Sequence, residues 1–150
     1  MKEQKKILPP TYFIFSILLI LIIHFLIPII KIIVFPYNLL GIFLLLISGI
    51  LNIVADNALK KFNTTVKPFE ASTFLVVDGV YSISRNPMYL GMTLFLFGES
   101  VILGTLGAIL FAFLFSLLLY FRFIIYEEKM LREKFKETYI DYCNKVRRWI

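Results

Sequence analysis

The sequence predicts an all-α integral membrane protein with about four transmembrane helices and a cytoplasmic amphipathic helix at its C-terminal end. Hydrophobic residues make up 59% of the 150 residues, and the mean hydropathy is +0.84. Both values are well above those of soluble domains. The apolar residues also occur in long uninterrupted stretches, and most basic residues lie between those stretches. We therefore expect one membrane domain over residues 1–150.

The first two transmembrane helices are predicted over residues 12–35 and 37–56. Apart from Lys31 and Asp56, neither range contains a charged residue, and each approaches or exceeds the roughly 20 residues that cross the hydrocarbon core. The chain begins with basic residues, as a signal peptide does. However, the following apolar stretch is too long for one, and no small-residue cleavage site follows it. We therefore expect the first helix to be a retained anchor.

The third apolar stretch, Met88–Phe121, has Glu99 as its single charged residue. As one helix, at about 1.5 Å per residue, it would be roughly 50 Å long, which exceeds the bilayer core. Gly104-Thr105-Leu106-Gly107 has the backbone freedom that a tight turn requires. The sequence therefore predicts a helical hairpin with arms at 88–103 and 107–126.

A C-terminal helix is predicted over residues 127–146, and one face of it is apolar. That face is formed by Leu131, Phe135, Tyr139, Tyr142 and Val146, which recur at helical spacing. The opposite face is rich in Lys and Arg. This pattern suits a helix that lies on the membrane surface or folds back beneath the bundle.

Four crossings place both termini on one side of the membrane, and the basic residues indicate that this side is cytoplasmic. Only Lys31 lies near the other side, whereas cytoplasmic loops carry an excess of Lys and Arg. Membrane lipids then account for the net charge of +6 without a nucleic-acid partner. Cys143 and His24 are single residues of their types, so we predict no disulfide and no metal site.

Polar residues at the start of the third helix form the first candidate site. Arg85-Asn86-Pro87-Met88-Tyr89 places Pro in the first turn, where backbone N–H groups have no helical partner and can bind a ligand. An alternative interpretation is an interfacial cap in which Arg85 and Tyr89 contact lipid headgroups.

The second candidate site lies where the last apolar stretch ends. Glu127 and Glu128 can bind a cation or an amine, but adjacent helical residues point about 100° apart, so we expect one of them to be solvated. Arg122 can bind a substrate carboxylate or extend to the interface as an ordinary basic residue. Glu99 is expected to face the bundle or the far interface, because exposure to lipid would cost about 3 kcal/mol.

Read together, these segments resemble the isoprenylcysteine carboxyl methyltransferase family over roughly the last 90 residues of the chain. The resemblance is carried in order by Asn63–Pro68, Leu75–Tyr81, Arg85–Gly91, Glu127–Leu131 and Val146–Ile150 together with Phe135, Tyr139 and Tyr142. The family consists of integral membrane methyltransferases that use S-adenosylmethionine without a soluble Rossmann domain.

The resemblance implies a cofactor pocket and a substrate-binding arginine. The implied cofactor-binding residues are Thr73, Phe74, Leu75, Val76, Tyr81, Asn86, Pro87, Met88, Tyr89 and Glu127. Arg122 is implied to bind the substrate carboxylate, and Arg122 and Glu127 are the implied catalytic residues. Glu127 is taken as the inward carboxylate on the same grounds.

Three positions depart from the family pattern. Asn86 replaces the His that is common in the eukaryotic enzymes, Lys136 stands where many relatives have Gly, and Arg147 replaces the usual Pro. Asn still donates and accepts hydrogen bonds. We expect the other two changes to alter the shape of the tail more than its chemistry.

The expected function is methyl transfer from S-adenosylmethionine to a lipophilic small-molecule or lipidated substrate at the membrane, with a carboxylate as the first choice of acceptor. A phospholipid amine or a small thiol is the alternative acceptor. A membrane reductase is a more distant reading, and a non-catalytic membrane adaptor is the alternative from another class. An adaptor would depend on the basic C-terminal helix and not on Tyr81, Asn86, Tyr89 and Glu127.

Overall fold

The described part of the chain forms a bundle of five α-helices. The structure is a computed structural model that describes residues 8–26, 30–62 and 74–150. The helices are α1 Pro9–Leu26, α2 Leu40–Lys61, α3 Pro87–Leu103, α4 Leu106–Leu119 and α5 Ile125–Lys145. Short 3₁₀ turns occur at Tyr37–Leu39 and Gly79–Ser82, and a π-helical turn, Tyr120–Ile124, joins α4 to α5.

Among the described residues, three helical segments are long and apolar enough to cross a membrane. They are α1, α2 with its preceding 3₁₀ turn, and the continuous run from α4 through α5. The fourth apolar helix, α3, has 17 residues and so extends about 25 Å. The all-helical, multi-pass membrane fold is therefore confirmed.

The predicted C-terminal boundary of the first helix, residue 35, is too far along the chain. In the described residues α1 ends at Leu26, and residues 30–34 are not helical, while 27–29 lie outside the described residues. Instead, Ile32 and Ile33 donate backbone hydrogen bonds to the carbonyl oxygen of Gly104, at 2.8 and 3.1 Å. Backbone groups within the membrane must be hydrogen-bonded inside the protein. In residues 30–34, bonds to the hairpin turn at Gly104 take the place of helical ones.

The predicted hairpin between α3 and α4 is present. Gly104 ends α3 with φ 70°, in the left-handed region that favours glycine, and α4 begins two residues later. A side chain at Gly104 would also meet the backbone of Ile33. Both the turn and its pairing with residues 30–33 therefore depend on glycine at this position.

The core of the bundle lies between α1, α3 and α4. Its fully buried members include Ile20, Leu96, Ala112 and Leu119. On the other side, α2 packs closely against α3, where Gly41 meets the Gly98 carbonyl. Glu99 is only 9% exposed and so lies inside the bundle.

Both described ends of the chain lie at the same end of the bundle. Trp149 packs against the cluster that contains Phe123 and Ile124, and Tyr12 near the start of α1 lies against Phe123 with ring centroids 5.6 Å apart. Lys31 lies at the opposite end, paired with Thr105 beside the hairpin turn. An even number of crossings is consistent with this arrangement.

The predicted apolar face of α5 is buried by folding back. Tyr139, Tyr142 and Val146 form a cluster against which Leu75, from the segment before α3, also packs. The helix bends at Lys136, whose backbone has φ 45° and ψ −121°. The bend and the cluster return the C-terminal tail, Val146–Ile150, toward the start of α3.

Candidate functional site

Asn86 and Tyr89 begin the candidate site at the start of α3. Asn86 is the residue before the first helical position, Pro87 fixes the first turn, and Tyr89 follows one turn later on the same face. Asn86 and Tyr89 are each only 7% exposed. The buried polar ends of both side chains therefore require partners, and α5 and the tail supply them.

Glu127 is the partner of Tyr89. The Tyr89 hydroxyl donates a hydrogen bond to Oε1 of Glu127. The Tyr89 ring stacks on Phe123, with centroids 6.3 Å apart and planes at 24°. The structure thus joins a carboxylate to an aromatic wall at the start of α3.

Glu128 is also engaged, by residues of the C-terminal tail and by Arg85 and Asn86 before α3. Arg148 donates to both of its carboxylate oxygens, Asn86 donates from Nδ2 at 3.3 Å, and Arg85 pairs with Oε1 at 3.2 Å. These hydrogen bonds raise the pKa of Arg148. The interpretation of one glutamate as a solvated helix start therefore applies to neither residue.

The segment before α3 lies at the same end of the bundle. Tyr81 and Val76 are buried in a cluster with Ala55, and Met88 packs against it. Burial raises the pKa of the Tyr81 phenol, so this residue stays protonated. The Tyr142 hydroxyl donates to the Tyr81 carbonyl at 2.5 Å, which ties the segment to α5.

Two further residues of this segment were implied to bind the cofactor. Phe74 stacks on Phe62 at the end of α2, with centroids 4.8 Å apart and planes at 2°. Leu75 packs instead against the apolar face of α5. Thr73 lies outside the described residues.

Arg122 lies apart from the Tyr89–Glu127 pair. It is exposed, sits in the π-helical turn, and lines a groove of about 470 Å³ with Tyr12, Leu117, Leu118 and Phe121. Phe123 connects the two places, because its ring contacts Tyr12 beside the groove and Tyr89 in the site. The groove is therefore apolar, with one guanidinium, and is linked to the site through the ring contact between Tyr12 and Phe123.

Sequence reasoning did not identify Arg148 and Tyr120 as part of this arrangement. The planar guanidinium of Arg148 binds two partners at once. Nη1 donates to the Tyr120 hydroxyl at 2.7 Å, and Nη2 donates to Glu128. The signal available in the sequence was a basic tail directly after an amphipathic helix. From the sequence alone, that pattern predicts a solvent-exposed arginine, because it does not indicate that the tail folds back toward α3.

Comparison with known proteins gives three results. The profile of the phospholipid methyltransferase family matches residues 37–138. The chain is 36% identical over 142 residues to the protein-S-isoprenylcysteine O-methyltransferase of Saccharomyces cerevisiae, with 88% of this chain and 58% of that protein covered. It also superposes on a solved eukaryotic intramembrane Ras methyltransferase, the isoprenylcysteine carboxyl methyltransferase, with a TM-score of 0.69 and 26% identity.

The solved structure covers 94% of this chain, whereas the chain covers 52% of the solved protein. The chain thus spans little more than half the length of these two relatives. The resemblance to isoprenylcysteine carboxyl methyltransferases is confirmed by both of them. Because the family profile matches about two thirds of the chain, this protein belongs to the phospholipid methyltransferase family.

Proposed function

We propose that this protein transfers a methyl group from S-adenosylmethionine to a carboxylate of a lipophilic small-molecule or lipidated substrate at the membrane. The observation that carries the proposal is the hydrogen-bonded Tyr89–Glu127 pair beside Asn86. The Tyr89 ring stacks on Phe123, which in turn contacts Tyr12 in the lining of an apolar groove with one arginine. The similarity to the yeast enzyme supports the same reaction.

The residues of the site fit the proposed cofactor. S-adenosylmethionine carries a cationic ammonium and a cationic sulfonium, and Glu127 offers a carboxylate for the first. The rings of Tyr89 and Phe123 offer π faces, which attract a cation such as the second. Asn86 and Tyr89 add hydrogen-bonding groups at a helix start. When bound, the cofactor supplies a methyl group activated by its sulfonium.

The groove fits the proposed substrate. Tyr12, Leu117, Leu118 and Phe121 present an apolar lining to a hydrocarbon chain, and Arg122 at its edge can pair with a carboxylate. Arg122 lies where α4 passes into α5, at the end of the bundle that contains the site. A lipid substrate would therefore reach this groove from within the bilayer.

Positioning and desolvation are the tasks left to the protein. Methyl transfer from a sulfonium is an in-line displacement, and a carboxylate acceptor needs no general base. Arg122 would orient the acceptor, while Tyr89 and Glu127 would hold the donor side. Phe123 and the buried face of Tyr89 exclude water between them.

A phospholipid amine is the second candidate acceptor, because the matching family profile is that of phospholipid methyltransferases. An amine must lose a proton during transfer, which would make Glu127 or Glu128 the base. Methyl-labelled cofactor offered with a prenylcysteine and with phosphatidylethanolamine in separate vesicles distinguishes the two acceptors by the product that carries label.

The proposal is tested first by cofactor binding. Calorimetry with S-adenosylmethionine and the protein in nanodiscs should give micromolar affinity, and Glu127→Gln should weaken it at least tenfold because the carboxylate charge is removed. Glu133→Gln is the matched control, since that glutamate is exposed on the same helix. If folded wild-type protein shows no binding, the methyltransferase proposal fails and the adaptor reading takes its place.

A further inference from the structure

The side-chain amide of Asn86 has both of its hydrogens engaged within the protein. Nδ2 lies 3.3 Å from Oε1 of Glu128 and 3.2 Å from the carbonyl oxygen of Arg148. A carboxylate and a carbonyl only accept hydrogen bonds, so the amide nitrogen must face them. The orientation of Asn86 is therefore set by its partners, and Oδ1 is directed away from them.

Glu128 in turn is held by the C-terminal tail. Nε of Arg148 lies 3.1 and 3.0 Å from the two carboxylate oxygens, and Nη2 lies 2.7 Å from Oε2. The side chain of Glu128 is 12% exposed and that of Arg148 is 33% exposed. Such a fork fixes the plane of the carboxylate as well as its place, which a single ammonium would not do.

The position of Arg148 is fixed by further contacts. Its guanidinium lies 5.0 Å from the centroid of the Tyr120 ring, in addition to its hydrogen bond with that hydroxyl. The tail backbone is also bound to the segment before α3, because Arg85 N donates to the Arg147 carbonyl at 3.0 Å and Ser84 Oγ to the Arg148 carbonyl at 3.3 Å. The tail is therefore attached to the two residues that precede Asn86.

We infer that Glu128 and Arg148 are positioning residues that orient the Asn86 amide so that Oδ1 is presented as a hydrogen-bond acceptor to the cofactor. The inference rests on the proposed function, since it names what the tail does for that cofactor site. Neither residue needs to touch the cofactor. Their effect reaches it through Asn86, whose neighbour Tyr89 one turn along binds Glu127.

A purely structural role for the tail predicts a different result. If the Glu128–Arg148 pair only stabilises the fold, its loss lowers the unfolding temperature and leaves cofactor affinity unchanged in the folded fraction. If the pair positions Asn86, its loss weakens cofactor binding in protein that remains folded. It also frees the Asn86 amide when no cofactor is present.

The experiment compares Arg148→Ala with Arg147→Ala, an adjacent, exposed arginine whose substitution removes the same charge and keeps its backbone carbonyl. Protein labelled with ¹⁵N at asparagine side chains is placed in nanodiscs, and hydrogen exchange of the Asn86 amide is followed by NMR. Asn86→Asp assigns the signal. Exchange should be slow in wild type and in Arg147→Ala, and at least tenfold faster in Arg148→Ala.

Calorimetry with S-adenosylmethionine forms the second arm. Affinity should fall at least tenfold in Arg148→Ala and stay within twofold in Arg147→Ala. Arg148→Lys keeps the charge but loses the fork, so it should give an intermediate loss in both arms. It also provides the test if the alanine variant does not fold.

Each outcome decides the inference. An Asn86 amide that is equally protected in wild type and the Arg148 variants overturns it, whatever the cofactor does. Faster exchange with unchanged affinity also overturns it, because the amide orientation then does not serve binding. If wild-type protein does not bind S-adenosylmethionine, the proposed function fails and the inference falls with it, whereas the exchange data still show whether the pair orients Asn86.

Discussion

At the residue scale, Gly41 sets how closely α2 can approach α3. A Cβ at this position would overlap the Gly98 carbonyl and lie 2.9 Å from Ile102 N, both of which are backbone atoms that cannot rotate away. Gly41→Ala should therefore lower the free energy of unfolding by about 1–3 kcal/mol, because the two helices must separate. Denaturant titration in mixed micelles measures the change.

Gly49→Ala is the matched control for that substitution. Gly49 lies further along α2, and a Cβ there meets nothing within 4 Å. Since alanine is the better helix former, this variant should be neutral or more stable by up to about 1 kcal/mol. Equal losses in the two variants would show that the contact with α3 does not determine the effect.

Residue identities were easier to predict than residue partners. Asn86, Tyr89 and the Glu127–Glu128 pair can be selected from the sequence because charged and polar residues at the ends of apolar stretches need a reason to be there. The choice of Glu127 within the pair rests on the family resemblance. The hydrogen bonds of Arg148 with Glu128 and Tyr120 form because the C-terminal tail turns back toward the bundle after α5. No local pattern encodes that reversal, so Glu128 could not be recognised as a central acceptor.

At the element scale, the bend in α5 is the least favourable piece of backbone described. Lys136 has φ 45° and ψ −121°, which a residue with a Cβ adopts at a cost of about 1–3 kcal/mol, whereas glycine adopts it freely. Lys136→Gly should therefore raise the free energy of unfolding by about 1 kcal/mol. The same micelle titration detects it.

Lys134→Gly supplies the comparison on the same helix. Lys134 is exposed and has helical backbone angles, so glycine there should lower stability by about 1 kcal/mol. The two lysine substitutions should thus shift stability in opposite directions. A loss of stability in Lys136→Gly would show that the bend is not a strained feature of the folded protein.

Hydropathy predicts the boundaries of helices that are limited by the thickness of the bilayer. It does not predict boundaries that are set by tertiary contacts. The hairpin turn at Gly104 was predictable because a single helix over the whole apolar stretch would be too long. Residues 30–34 are apolar except for Lys31, yet they form backbone bonds with that turn and not a helix. Lysine itself does not indicate the bend at Lys136, because it is an ordinary helix former; the Gly that many relatives have at this position is the one signal for it.

At the scale of the whole molecule, the arrangement places all proposed chemistry at one end of the bundle. The start of α3, the start of α5 and the C-terminal tail meet there, while Lys31 and the hairpin turn lie at the other end. A water-soluble cofactor and a lipid substrate can then approach the same end from different phases. Such a division requires that end to face the compartment that contains the cofactor.

We therefore propose that both chain ends face the cytoplasm, and cysteine labelling tests this orientation. In a Cys143→Ser background, Lys31→Cys and Lys145→Cys place one exposed thiol at each end of the bundle. A membrane-impermeant maleimide should label Lys31→Cys in intact cells and Lys145→Cys only after permeabilisation, because the excess of Lys and Arg at the second end disfavours its translocation. The reverse pattern would contradict the orientation while preserving the fold. Labelling of both thiols in intact cells would contradict the orientation as well, because only one end of the bundle is proposed to face the outside.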